Sequence, residues 1–240
     1  MSVIDRGWQL GRCGIILTSK LVKGLSILDI TWYGHSCFRI TERGKISIVT
    51  DPYSEVAGLP SPKLKGEIVT VSHDAPGHNH FEAVKGQSYV LSGPGEYEIG
   101  GVFIYGIALH NIDEEAGHAM ENVAYMMQYG SLTVVHLGDL AHVPDQSTIE
   151  ALGEVNIVLV PVGGGQGLKA STASEVIALI EPNYIVPMHY ALPGLAFNLD
   201  PVDKFLTEMG VSKVQEEDFL RVTAGSLPEQ PQVVVLKPQF

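Results

Sequence analysis

The sequence is short of cysteine, of cations and of long apolar runs. Its two cysteines, Cys13 and Cys37, cannot build a disulfide framework, and neither belongs to a CxxC pair. That usage fits a reducing compartment, so the expected location is cytoplasmic. Lys and Arg total 15 against 27 Asp and Glu, a formal charge of −12. With no basic run to meet a phosphate backbone, nucleic acid is not an expected partner. No segment approaches the roughly 18 apolar residues of a membrane span, so no membrane partner is expected either. Residues 1–26 carry Arg6, Arg12, Lys20 and Lys23, but their apolar stretch is only about Gly14 to Leu17. A secretory h-region needs roughly 7 to 15 such residues. These 26 residues match no later pattern and read as an appendage of unassigned structure before a domain over 27–240. No GxSxG element is present to carry a nucleophilic serine.

What the chain does have is a concentration of histidine. Residues 66–86 read GEIVTVSHDAPGHNHFEAVKG. Ile68 to Val71 is a β-branched run of the kind that forms a buried strand, ending at Ser72-His73. Pro76-Gly77 breaks the chain, and His78, Asn79 and His80 lead into a short helical pattern closed by Gly86. Imidazole is the commonest metal ligand and proton carrier near neutral pH. A polar loop meeting water is the plain alternative.

The same ending recurs along the chain. Strands are expected at 27–33, 37–40, 46–50, 89–91, 102–109, 123–128 and 132–135, with a mobile loop over 111–120. From there strands alternate with helices. A helix over 145–152 precedes a strand at 157–160. Thr172-Ala-Ser-Glu175 reads as a capping box before a second helix, and a strand at 185–186 follows. Asp200-Pro201 opens a third helix that stops at Gly210, and 233–236 is a last strand. Five apolar strands finish in polar or glycine-rich residues: His73, His110, Asp139, Gly163-Gly164-Gly165 and His189. Strand ends that face one way gather their side chains on one rim of a sheet, where α/β proteins place their sites. Two sheets flanked by helices are expected.

His73, His78, His110, Asp139 and His189 form a metal-ligand set in type and number, suited to Zn, Fe or Mn. Taken singly, His110 or His189 is equally a buried histidine with a backbone partner, and Asp139 a turn residue after Gly138. The triglycine 163–165 could offer backbone amides to a substrate oxyanion, or could simply need positive φ.

Several motifs, in order, resemble the metallo-β-lactamase fold superfamily, in particular its small bacterial branch of Zn-dependent hydrolases related to ascorbate-6-phosphate lactonase-like proteins. They are Trp32-Tyr-Gly-His35-Ser36, Thr50-Asp51-Pro52, Val71-Ser-His73, Gly93-Pro-Gly-Glu-Tyr-Glu98, His136-Leu-Gly-Asp139, Pro161-Val-Gly-Gly-Gly165 and Pro187-Met-His-Tyr190. The resemblance implies a four-layer αββα sandwich with a metal site at one edge of its two sheets. It also implies that Asp51 fixes a ligand histidine from behind.

The chain departs from the family motif His-x-His-x-Asp-His. In that register it reads His73-Asp74-Ala75-Pro76-Gly77-His78, so Ala75 and Gly77 stand where a histidine and an aspartate belong. By analogy, one subsite keeps His73, His110 and the bridging Asp139, and the other keeps His78, His189 and the same Asp139. That suffices for one divalent metal, with Zn first and Mn or Fe as alternatives, or for none if the site is degenerate. The lost aspartate normally helps orient the attacking water. Asp139 is then the expected catalytic carboxylate, with His80, Asp74 and His35 the groups that could substitute. A shifted register, His78-Asn-His80-Phe-Glu82, imitates the motif from the helix side of the loop.

The expected function is a metal-dependent hydrolase opening a small ester, lactone or related bond in a small-molecule substrate. The alternative is a metal-poor pseudoenzyme that keeps the fold to bind a ligand or partner. A homo-oligomer stays open.

Overall fold

Strands β3 (Ile48–Thr50) and β4 (Ile68–Thr70) show how the layers arise. They pair in parallel, Ile48 beside Ile68 and Val49 beside Val69. Successive side chains alternate across a sheet. Ile48 and Ile68 therefore enter the large core between the two sheets, while Val49 and Val69 enter a smaller core on the outer face. In a computed structural model of the chain, residues 27–113 and 118–240 are described, apart from the side chains of 110–113 and 118–120. Expectations for residues 1–26 lie outside the described residues.

Sheet I contains β1 (Ile27–Trp32), β2 (Phe38–Glu42), β3, β4, β5 (Tyr89–Leu91) and β12 (Leu220–Thr223), in the order β12-β1-β2-β3-β4-β5. Sheet II contains β6 (Gly95–Ile99), β7 (Val102–Asp113), β8 (His118–Tyr129), β9 (Leu132–His136), β10 (Ile157–Pro161), β11 (Tyr184–Met188) and β13 (Gln232–Val233). Its order is β13-β11-β10-β9-β8-β7-β6, with β9, β10, β11 and β13 parallel. Helices α1 (Gln146–Leu152) and α2 (Ala170–Ile180) connect β9, β10 and β11, α3 (Val202–Glu208) follows β11, and α2 packs against both others. The outer layer on sheet I is thinner. Loop residues such as Tyr53, Leu59 and Leu64 and the 3-10 turns Glu55–Ala57 and Phe81–Ala83 cover it. The chain forms the αββα sandwich.

Several local expectations change. The loop at 111–120 is strand at both ends, because β7 runs on to Asp113 and β8 starts at His118; residues 114–117 lie outside the described residues. β7 therefore passes through His110, which pairs with Glu121, instead of ending there. Thr172 lies within α2, whose N-cap is Lys169 with no side-chain cap, so the capping box is not used as one. Asp145 does cap α1, accepting from Thr148 N. β6 and β12 are strands the sequence pattern did not reveal.

The sheets are joined at the rim that bears the histidines. Tyr125 Oη donates to Leu91 O at 2.9 Å and lies 3.2 Å from Val71 O. Val123 N donates to Ser72 O at 2.8 Å. His136 Nε2 donates to Ser36 O at 2.9 Å. Because Ile68 is fully buried between the sheets, Ile68→Ala should cost about 2–5 kcal/mol through lost transfer energy and a residual cavity. Urea denaturation would show this as a lower midpoint at unchanged slope.

Candidate metal centre

The centre starts from a carboxylate with no access to water. Asp51 follows β3, is fully buried, and has φ 39°. A buried carboxylate persists as an anion only when it is hydrogen-bonded or paired. Asp51 accepts from Ser72 N at 2.7 Å, from Ser72 Oγ at 2.6 Å and from His78 Nδ1 at 2.9 Å. Burial works to raise its pKa, but the neighbouring His136 and His78 outweigh burial and hold the carboxyl below its usual range.

This anion sets the state of two histidines. An ionised carboxylate only accepts, so the proton on His78 Nδ1 points at Asp51 and Nε2 faces the other way. That Nε2 lies 3.2 Å from Asp139 Oδ2. Burial pulls the His78 imidazolium down, but Asp139 and then Asp51 outweigh it and hold the pKa up to about 10. Ser72 Oγ spends its own proton on Asp51, so it accepts from His73 Nδ1 at 3.0 Å. His73 Nε2 is then a bare lone pair. It is buried, has no hydrogen-bond partner among the described residues, and sits 3.8 Å from Asp139 Oδ2. Burial, and next the His78 charge, lower the His73 pKa and keep the ring neutral.

Asp139 is reached from the end of β9 through Gly138, whose φ is 58°. Asn122 fixes this turn, donating from Nδ2 to Leu137 O and accepting from Asp139 N. His189 follows β11 and places Nε2 at 3.1 Å from Asp139 Oδ2. Burial opposes ionisation of Asp139, but His189 and His78 carry its carboxyl well below the usual range. Gly163 lets the chain pass close behind His189: its amide donates to His189 O, and a Cβ there would lie 2.7 Å from Tyr190 Cα. The amides of Gly163 and Gly164 are bonded to His189 O and Leu168 O, so Gly163 helps to position His189 and neither amide is free to donate to an oxyanion. Gly165 belongs to the same turn, with φ 68°.

His35 completes the cluster. Its Nε2 lies 3.2 Å from His78 Nε2, its ring sits 4.5 Å from that of His189, and it stacks on Phe197. Burial, then the charges of His78 and His189, pull its pKa well down, so the ring is neutral at pH 7. Its carbonyl accepts from Trp32 Nε1 and His189 N, tying the His35 turn to the His189 turn. Among the described residues, four that are not glycine have positive φ, and three of them are His35, Asp51 and His189. Such a conformation costs roughly 1–2 kcal/mol per residue, and strain of this kind gathers at functional sites.

The structure thus brings together His35, His73, His78, Asp139 and His189, with Asp51 behind them. The side chain of His110 lies outside the described residues. His80 is not brought in: it sits at the start of the 3-10 turn Phe81–Ala83, partly exposed, 3.8 Å from Glu82. Asp74 accepts from Asn79 at the surface. Sequence reasoning assigns no role at the site to Ser72, Asn122 or His136. The adjacency of Ser72 to His73 was the available signal. A cleft of about 320 Å³ opens onto the cluster, walled by Val56, Ala75, Pro76 and Phe197.

These donors suit a metal. Around a tetrahedral ion with ligands at 2.0–2.1 Å, donor atoms stand about 3.3 Å apart. The separations here are 3.1 to 3.8 Å. His73, His78 and Asp139 form one potential ligand group, and His35, His78 and His189 another.

Two mixed sheets with such a cleft at their rim define a protein of the metallo-β-lactamase fold class. More specifically, the chain belongs to the beta-lactamase superfamily: the sequence profile described as beta-lactamase superfamily domain matches residues 29–189. The chain is 34% identical to a crystal structure from Thermotoga maritima whose proposed activity is that of a Zn-dependent hydrolase of the metallo-β-lactamase superfamily. That alignment covers 87% of this chain and 98% of the other, with TM-score 0.72. A UPF0173 protein of Pyrococcus furiosus is 30% identical over 199 residues, 76% of this chain and 90% of its own. A UPF0173 metal-dependent hydrolase of Thermoplasma acidophilum is 27% identical over 191 residues, 68% of this chain and 83% of its own.

Two predictions follow the protonation pattern. Asp51→Asn should weaken divalent-metal affinity by about 10- to 100-fold, the usual effect of losing an outer-shell partner. Equilibrium titration against a chelator would measure it. The second concerns the metal-free fold. His78 is raised from 6.5 to about 10, so its stabilising charge is complete below pH 6.5 and is lost as pH climbs towards 10. Asp139 is held down, so its contribution is present above its ordinary 3.8 and is lost as pH falls. With excess chelator, the calorimetric midpoint should fall from pH 6.5 to pH 10, and His78→Gln should flatten that limb. A flat limb in the unmutated protein would mean that His78 is neutral.

Proposed function

We propose that the chain is a metal-dependent hydrolase that holds one divalent ion and opens a small, neutral ester, lactone or related bond. His73, His78, Asp139 and His189 hold the ion, zinc first with manganese or iron as alternatives. His110 is a further ligand implied by the family resemblance. The observation that carries this reading is the bare, buried Nε2 of His73, oriented by Ser72 towards Asp139. A divalent ion held there supplies Lewis acidity and lowers the pKa of a coordinated water towards 7.

The protein's own groups account for the rest. Asp139 stays ionised, and its Oδ2 lies 3.1 to 3.8 Å from the inward nitrogens of His73, His78 and His189, so it gathers these three rings around the place of the ion. Asp51 and Ser72 keep the inward nitrogens of His78 and His73 aimed at the centre. Val56, Pro76 and Phe197 present apolar walls that exclude water from one side of the substrate. No lysine or arginine is among the described residues lining the cleft. A phosphate or carboxylate substrate would therefore lack the cation that usually clamps it, which favours neutral substrates of modest size over phosphoesters.

Protein purified without an affinity metal should carry about one Zn, Mn or Fe per chain by mass spectrometry, and His73→Ala/His189→Ala should lose it. Activity on p-nitrophenyl acetate should exceed that on p-nitrophenyl phosphate by at least about tenfold in kcat/KM, and a chelator should abolish it. A chain that stays metal-free in excess zinc or manganese would overturn this reading. It would leave the ligand-binding module that Ala75 and Gly77 suggest.

A further inference from the structure

We propose that His35 is itself a ligand of the divalent ion, its ring standing where a side chain at position 77 would otherwise lie. The proposal rests on the reading of the cleft as a metal site and extends it to a residue outside the His73–His78 loop.

The first observation concerns Gly77. A glycine is usually required where φ is positive, and Gly77 is not among the positive-φ glycines, so its backbone would accept a side chain. What a side chain would meet is His35: a Cβ built on Gly77 lies 2.9 Å from His35 Nε2, and 3.3 Å from His35 Cδ2 and Phe197 Cε2. The ring of His35 and a side chain at 77 compete for one place, next to His78. Position 77 is where the family motif has its aspartate, so His35 Nε2 offers a donor in the space that the aspartate would use.

The second observation is the aim of the ring. His35 is 1% exposed and held in a left-handed turn. Its Nε2 stands 3.2 Å from His78 Nε2, and it forms with His78 and His189 a three-donor group whose atoms all lie within 4.8 Å of one another. Stacking on Phe197 fixes the ring plane. A neutral imidazole with its nitrogen in this position is a competent ligand.

Cobalt(II) titration tests this, read by affinity and by the visible d–d absorption, which reports ligand number and geometry independently of any activity. His35→Ala and His35→Gln should each weaken Co(II) binding by at least about 100-fold and change the d–d band, more than loss of an outer-shell partner would do. Gly77→Asp alone should weaken binding, since the new side chain and the ring collide. The double variant His35→Ala/Gly77→Asp should recover to within about tenfold of the unmutated protein, a carboxylate replacing the imidazole. Unchanged affinity and spectrum in His35→Ala would overturn the proposal. So would normal binding in His35→Gln, or a loss in His35→Ala that Gly77→Asp does not repair, since either would make the ring a packing element only. Failure of the unmutated protein to bind Co(II) or Zn(II) at all would overturn the underlying metal reading instead.

Discussion

The structure of the site depends on one buried anion. Asp51 has no exposed surface, so its charge must be satisfied by protein groups, and it draws Ser72 and His78 to itself. Those contacts span the ends of β3 and β4 and the loop that follows. They fix where residues 72–78 run, which nitrogen of His78 faces the cleft and, through Ser72 Oγ, which nitrogen of His73 does. Without the anion, Ser72 Oγ could donate to His73 instead of accepting, and the inward lone pair would become an N–H. One carboxylate thus fixes how both rings are turned and, for the neutral His73, which tautomer it holds.

This arrangement is costly to hold. Three residues in left-handed backbone, two buried carboxylates and several buried imidazoles each oppose folding, against a net stability that is only about 5–15 kcal/mol for a typical domain. The frame that offsets them is the double-sheet core, with Ile30, Trp32, Ile40, Ile48 and Ile68 packed on Ile104, Tyr125, Val134 and Leu159, all essentially inaccessible to solvent. Polar ties between the sheets from Tyr125, Val123 and His136 fall at the rim that carries the site, and Tyr129 Oη makes a longer one to Ile40 O, at 3.4 Å, towards the other end of β8. The two halves of the histidine cluster, one from each sheet, are therefore held in register where registry matters.

Much of this was legible along the chain. Short apolar strands that end in His73, Asp139 and His189 announce a rim, and Asp145 and Gly210 mark helix ends through local chemistry alone. What escaped was non-local. β12 is a strand because Leu220 to Thr223 pair with β1 about 190 residues earlier, and no local pattern encodes that. β6 hides behind its glycine and glutamates because it is an edge strand with both glutamates exposed and no residue fully buried. Thr172 has capping chemistry, yet α2 begins earlier, where packing of Ala170 and Ala173 overrides the local preference. Ser72 and Asn122 act by relaying hydrogen bonds to groups distant in sequence, so residue type alone could not single them out.

The stretch from His73 to His78, set against the motif it resembles, is the most instructive case. Read along the chain, Ala75 and Gly77 count as two losses, and the centre looks depleted. Read in space, the two positions differ. Ala75 faces the cleft and widens its apolar wall, whereas the place beside Gly77 is filled by the ring of His35, which arrives from another strand end more than forty residues earlier. A linear motif names positions along the chain; a pocket is defined by which atoms converge on it. Glycine at 77 is therefore as much a condition for the present position of His35 as a missing side chain. Restoring the aspartate alone would crowd the cluster instead of repairing it.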